Sequence, residues 1–354
     1  MKPSAVGFVV IVAAFLPACG GTKVDPLPTG PLPPSHTWVD LGLTRSRSYV
    51  WTLANDGDRL LAGGEFYGVN GRTYLSLVAW NGVTWTPIDP QPNGVVEALG
   101  SYGGQLVAGG NFTAIGPTQA ARIALRNGAA WEPLGAGVDG VVLSTAERGG
   151  ELVVAGGFRN AGGSAAERIA RWDGAHWKTL GPGLNGNVHA LVVHDGSLIA
   201  AGQFTAAGSM VALRIARWDG TQWHAMGDGF DNAVMALAVV DGALYAAGFF
   251  MHSGNEVLKG VGRWNGFMWE PVGEGLPIEG QNVVFSLGQY QGDLIAGGRF
   301  PGQVARWRDG AWTELPGLDG SVYEFAVFRD ELIAGGAFGA VDPHSPDVIA
   351  RWVE

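Results

Sequence analysis

This chain of 354 residues has one cysteine, Cys19, so no disulfide can form within it. Charge is scarce: Asp, Glu, Lys and Arg make up 15% of residues, against roughly 25% in typical domains. Surface helices need such residues, so their scarcity argues against a helical fold. The 22 Lys and Arg form no cluster and the net charge is −10, which excludes a nucleic-acid partner of the usual basic-patch kind. The acidic balance mainly favours solubility. No H-x-H or H-E-x-x-H group occurs among the seven histidines, so no zinc or other metal site is expected. No G-x-S-x-G elbow occurs either, and no nucleophile stands beside a base. No catalytic residue is therefore assigned, and no cofactor is expected.

The apolar run from Val6 to Phe15 follows Lys2. It is shorter than the about 18 residues needed to cross a bilayer, and it reads as an export signal. The stretch Leu16-Pro17-Ala18-Cys19 resembles the bacterial lipobox. The resemblance implies that residues 1–18 are removed, that Cys19 becomes the lipidated first residue, and that, with Gly20 next, the protein sorts to the outer membrane. The alternative is an ordinary secretory signal. Several acyl chains on one residue anchor stably where one does not. Residues 19–36 are rich in Pro and Gly and read as an extended tether, with a reach on the order of 50 Å.

What the remainder has is glycine and repetition. Glycine supplies 58 residues, and tryptophan 14. A phrase close to Leu-x-Ala-Gly-Gly-x-Phe recurs seven times, ending at Phe66, Phe112, Phe158, Phe204, Phe250, Phe300 and Phe338. The steps are 46, 46, 46, 46, 50 and 38 residues. A period of this length marks a propeller or solenoid. One copy, residues 187–227, contains four short strand patterns separated by Asp195-Gly196, a longer loop and Asp219-Gly220. Four antiparallel strands per repeat describe one propeller blade.

Two tryptophan columns set the register. Trp80, Trp172, Trp218, Trp264, Trp307 and Trp352 end the third strands, with Arg126 in the second copy. Trp85, Trp131, Trp177, Trp223, Trp269 and Trp312 open the fourth. The seventh copy stops at Trp352-Val353-Glu354, and Thr37-Trp38-Val39-Asp40-Leu41-Gly42 carries the missing fourth-strand pattern. The expected fold is therefore all-β: a seven-bladed propeller over residues 37–354, with the N-terminal strand completing the last blade. An open ring would leave unpaired sheet edges. The Trp columns are expected in the core, with indole N–H groups bonded to backbone. The Gly pairs are expected to let blades pack closely.

The segments LVVAGGF (152–158) and IARWDGAHWKTLG (169–181) resemble kelch-type repeats. They are still more similar to the repeats of fungal cortical polarity-marker proteins and related bacterial propellers. The chain departs from kelch in having Trp where kelch has Tyr, and in Ala201-Gly202 and Ala247-Gly248, where the Gly pair is broken. The resemblance implies a propeller and points toward binding or scaffolding. It specifies no activity.

GAGVDG (135–140) and GPGLNG (181–186) match the dinucleotide fingerprint, but a strand pattern follows instead of a helix, so each reads as a blade-to-blade turn. Arg171, Arg217, Arg263, Arg306 and Arg351 precede the third-strand Trp; packing and stacking on aromatics are expected of them, with a ring of anion-binding arginines as the sharper reading.

Antiparallel order places second-to-third and blade-to-blade loops on one face. These loops are long and varied, as binding loops on a rigid scaffold tend to be. Blade six departs there: its third-strand Trp lies seven positions after the Phe, where six copies have 14, and the loop before it, around Leu276-Pro277-Ile278-Glu279, is longer. A low rim beside a raised loop is the expectation. The first strands line the axis. Their column Val50, Val96, Val142, Val188, Val234, Val284 and Val322 is uniform and reads as packing. The next column is Trp51, Glu97, Leu143, His189, Met235, Phe285 and Tyr323. This diversity makes Trp51, Glu97, His189, Met235, Phe285 and Tyr323 the candidate ligand-binding residues. The expected function is a monomeric, membrane-anchored, non-catalytic module of the cell envelope that recognises a protein or glycan. The alternative is a glycan hydrolase or lyase in which Glu97, His189 and Tyr323 converge near the axis.

Overall fold

The structure, a computed structural model, describes residues 37–43, 48–67, 69, 72, 74–339 and 348–354. The export signal, Cys19, the tether and most of the blade-seven loop at 340–347 lie outside the described residues, as do His36 and His344. Seven four-stranded antiparallel sheets form the blades of a β-propeller. Blade four is representative: Val188–His194, Ser197–Gly202, Ile215–Trp218 and Trp223–Ala225, paired in that order. Its first turn is Asp195-Gly196, with φ of 48° and 71°. Two left-handed residues make the turn whose twist matches a hairpin, which is why Asp-Gly stands there. The next turn spans four residues, and the Asp219 carboxylate accepts the backbone N–H of Thr221 and Gln222. In blade seven, Thr37–Asp40 pairs antiparallel with Ile349–Val353, Trp38 opposite Trp352.

The first strands are Tyr49–Asp56, Val95–Tyr102, Val142–Arg148, Val188–His194, Val234–Val240, Val283–Tyr290 and Asp319–Phe328. Each contacts the first strands of both neighbouring blades, so the seven surround one axis. The core is not central. It is divided into seven apolar clusters, one at each blade-to-blade interface, including that between blades seven and one. No helix among the described residues is long and apolar enough to cross a membrane.

The tryptophans pair across the third and fourth strands. Trp172–Trp177, Trp218–Trp223 and Trp38–Trp352 have ring centroids 5.4, 5.3 and 5.3 Å apart. The fourth-strand indole donates to a carbonyl of the preceding blade: Trp177 to Leu134 (2.7 Å), Trp223 to Leu180 (2.9 Å) and Trp38 to Leu315 (3.0 Å). Trp131 is the exception and its Nε1 has no partner. The corresponding carbonyl, Ile88 O, is taken by the Gln91 side chain. In that same blade Arg126 replaces the third-strand Trp and lies over the Trp131 ring.

Three expectations need correction. The Gly pair has two separate causes. A side chain at the first member would strike the next blade, Gly109 against Val142 and Gly335 against Val50. Blades three to five carry Ala155, Ala201 and Ala247 there. The second member is Gly in all seven copies because a Cβ would fall 2.0–2.2 Å from a carbonyl oxygen in, or one residue before, its own blade's first strand. The arginine column forms pairs within its own blade, Arg171 with Glu151, Arg351 with Glu331 and Arg306 with Asp293, and Arg306 also reaches across to Glu354 of blade seven. Among the described residues Arg306 is the member of this column that also lies over an aromatic ring, Tyr290. The long loop before blade six is pinned down, because Leu276 and Ile278 are buried and Ile278 packs at Gly260.

Candidate functional site

Every first strand carries a β-bulge at the same place. The register slips between Val50 and Thr52, Val96 and Ala98, Val142 and Ser144, Val188 and Ala190, Val234 and Ala236, Val284 and Ser286, and Val322 and Glu324. The seven extra residues are Trp51, Glu97, Leu143, His189, Met235, Phe285 and Tyr323. A bulge leaves one residue unpaired and re-aims its side chain. Here the Val before it and the residue after it are buried, while the bulged residue keeps access to solvent. The diverse column of the sequence is thus the set of side chains that the bulges turn into the axial channel. The bulges lie near the start of each first strand, so they surround the channel mouth on the long-loop face.

That face is stiffened by contacts the sequence reading missed. In blades two to five the second-to-third loop folds into a two-stranded ribbon, such as Ala206–Ala207 with Met210–Val211. The Asn or Asp of the preceding blade-to-blade turn staples it. Asn185 accepts from the backbone N–H of Thr205 (2.8 Å) and Ala206 (3.0 Å), and Asn93 and Asp139 repeat the arrangement. This explains the G-x-G-x-x-G matches as turns: strands follow them, and their fifth residue is the staple. Among the described residues blade six has no ribbon.

The aromatic members of the ring come together. Trp51 stacks on Tyr323, centroids 4.6 Å apart and planes at 10°. Phe285 meets Tyr323 edge-on at 5.1 Å, and Phe249 meets Phe285 edge-on at 6.3 Å. Tyr49 lies 5.9 Å from Trp51 with planes at 19°. An aromatic arc therefore runs through blades five, six, seven and one. The sequence does not single out Tyr49 and Phe249: Tyr49 lies two positions before the bulged Trp51, Phe249 follows the second strand of blade five, and only the fold shows that both join the arc.

The polar members differ in their surroundings. Burial, with Glu65 nearby, raises the Glu97 carboxyl to about 7. Burial lowers the His189 imidazole below its usual value, and its Nε2 has no hydrogen-bond partner. Burial raises the Tyr323 phenol. No hydrogen bond joins Glu97, His189 and Tyr323 among the described residues, and Tyr323 is engaged by rings instead. Among the described residues no cluster of three metal-ligating side chains occurs.

No protein-family model matches the chain, and no curated protein matches it. Solved structures do. One is the extracellular domain of a hybrid two component system from B. thetaiotaomicron, with a TM-score of 0.59 and 10% identity over 89% of this chain. The chain spans 39% of that structure's length. Another is the computationally designed Ika8 protein, with a TM-score of 0.51 and 14% identity, covering 88% of this chain and 98% of the design. At such identities the likeness is one of fold.

Proposed function

We propose that this propeller is a non-catalytic binding module of the bacterial cell envelope that takes a protein or glycan at the channel mouth of its long-loop face. One observation carries the reading. Seven identical bulges deliver seven different side chains to a single mouth, while the residues on either side of each bulge are uniform or small in nearly every blade. A scaffold that repeats everything except what faces one opening has the form of a rigid receptor. That no hydrogen bond joins Glu97, His189 and Tyr323 among the described residues, while rings engage Tyr323, supports binding over hydrolysis. A pull-down from envelope extract tests it. The Trp51→Ala/His189→Ala/Tyr323→Ala protein should lose partners that the wild type retains; identical partner sets would sink the reading.

The location rests on Cys19 and its preceding residues, which resemble a lipobox, and on kelch-like and polarity-marker-like repeats that serve as scaffolds elsewhere. The extracellular setting of the B. thetaiotaomicron neighbour agrees with it. On this reading the mature protein begins at Cys19, lipid-anchored in the outer membrane. Cys19→Ala should release a folded, soluble protein; retention of that variant in salt-washed membranes would point to another anchor.

A further inference from the structure

Aromatic side chains crowd one sector of the mouth. Of the chain's seven tyrosines, Tyr49, Tyr67, Tyr74 and Tyr323 lie there with Trp51. Tyr67 packs edge-on against Tyr74 at 5.5 Å. Tyr49, Trp51 and Tyr67 are 37, 36 and 40% exposed, whereas most other tryptophans are buried. Tyr49, Trp51 and Tyr323 form one tier of nearly parallel rings. Glu65 stands opposite Tyr49 across the strand pair. Its charge reaches both Glu97 and Tyr74, which sets two carboxyl groups and a phenol beside the tier. No hydrogen bond or ion pair engages the Glu65 or Glu97 side chain among the described residues.

We propose that this blade-one sector is a carbohydrate subsite, in which a pyranose ring of a neutral glycan stacks on Tyr49 and Trp51 while Glu65 and Glu97 bond its hydroxyls. The inference rests on the mouth being the binding site. Its argument is complementarity. An aromatic face is electron-rich, and the C–H face of a pyranose is apolar and slightly positive. Tyr and Trp present this surface with few rotors to freeze. The carboxylates discriminate further. An apolar peptide side chain covering the rings would strip water from Glu65 and Glu97 and return no donor, which is costly. Sugar hydroxyls supply donors in the same plane as the ring. Glu97, titrating near neutrality, serves as donor or acceptor according to the hydroxyl it meets.

The test is retention on an array of neutral hexopyranose oligosaccharides, with polylysine as a cationic probe. Tyr49→Ala and Trp51→Ala should each weaken retention about tenfold, the loss of one stacking contact. Tyr49→Phe keeps the ring and should bind like the wild type, which separates stacking from misfolding. Glu65→Gln should weaken binding less. Phe267→Ala, altering an exposed aromatic in a third-to-fourth turn on the opposite face, should change nothing. An array that retains no neutral oligosaccharide, or retains one equally after Trp51→Ala, overturns the inference. Retention of polylysine alone, abolished by Glu65→Gln, overturns it in favour of a cationic ligand. If the array is blank while the pull-down still depends on Trp51, the mouth remains a binding site and only the sugar is wrong. If both ignore Trp51, both readings fall.

Discussion

At the scale of single residues, two carboxyl groups stand out because the first strands bury them. Glu97 has no hydrogen-bond or ion-pair partner among the described residues and a raised pKa of about 7, caused by burial and Glu65. Glu324 is more extreme. It is 1% exposed, its Oε1 accepts only the N–H of Phe325, and its Oε2 has no partner. Burial raises its pKa well above the ordinary value. Blades two, four and five carry Ala98, Ala190 and Ala236 at this position, while in blades one and three it is a hydroxyl that bonds the next blade: Thr52 accepts Leu99 N–H (3.3 Å), and Ser144 accepts Leu191 N–H (3.1 Å). At the blade six–seven junction Glu324 takes the Phe325 N–H, and Ser286 is left without a partner. The sign of the pH effect follows. Both acids are raised in the folded state, so the unfolded chain releases its protons first as pH rises. Stability is full below about pH 4.5 and falls as pH climbs toward the folded pKa. For Glu97 the loss is up to about 3 kcal/mol by pH 8. Glu97→Gln and Glu324→Gln should each raise the melting temperature at pH 8 and leave it unchanged at pH 4. Equal effects at both pH values would show that the carboxyls are not held neutral.

At the scale of the strand, the bulge and the second glycine are one device. The second glycine pairs with the Val that precedes the bulge, where a neighbouring backbone carbonyl leaves no room for a Cβ. Gly110 illustrates this, since a Cβ there would sit 2.2 Å from Val95 O. Gly109 is different: its added Cβ meets a Val142 methyl at 2.5 Å, a side chain that can shift. Gly110→Ala should therefore cost about 3 kcal/mol or more, and Gly109→Ala roughly 1 kcal/mol, read as urea midpoints. Gly110→Ala should also displace Glu97 and its mouth. A larger loss for Gly109→Ala would mean that blade packing, not the bulge, dictates the second glycine.

For the whole molecule, the question is how a ring of seven small cores holds together. Each core is shared by two blades, so the weakest seam governs cooperativity. In blade seven Trp38 is 1% exposed, pairs with Trp352 and donates to Leu315 of blade six. If this strand is what closes the ring, removing residues 37–42 should uncover the Ile349–Val353 edge. A melting temperature lower by roughly 10 °C, together with aggregation, is the expected outcome. A deletion protein that stays monomeric and melts unchanged would show that the blade-seven to blade-one core suffices.

The sequence by itself determined the number of blades, the strands in each and their turns, because every one of these is a local pattern repeated seven times. The period, the paired tryptophans and the Asp-Gly turns each state the same answer independently. It also marked Trp51, Glu97, His189, Met235, Phe285 and Tyr323 as the column left free to vary. Only the tertiary structure showed why that column is free. The bulge arises between two strands, and no single strand's periodicity reveals it. Nor does spacing along the chain tell that Tyr49, Trp51 and Tyr323, more than 270 residues apart at the extremes, stack into one tier. Those are distances across a ring, and a ring brings together residues according to blade order and pitch around the axis, which a linear repeat does not encode.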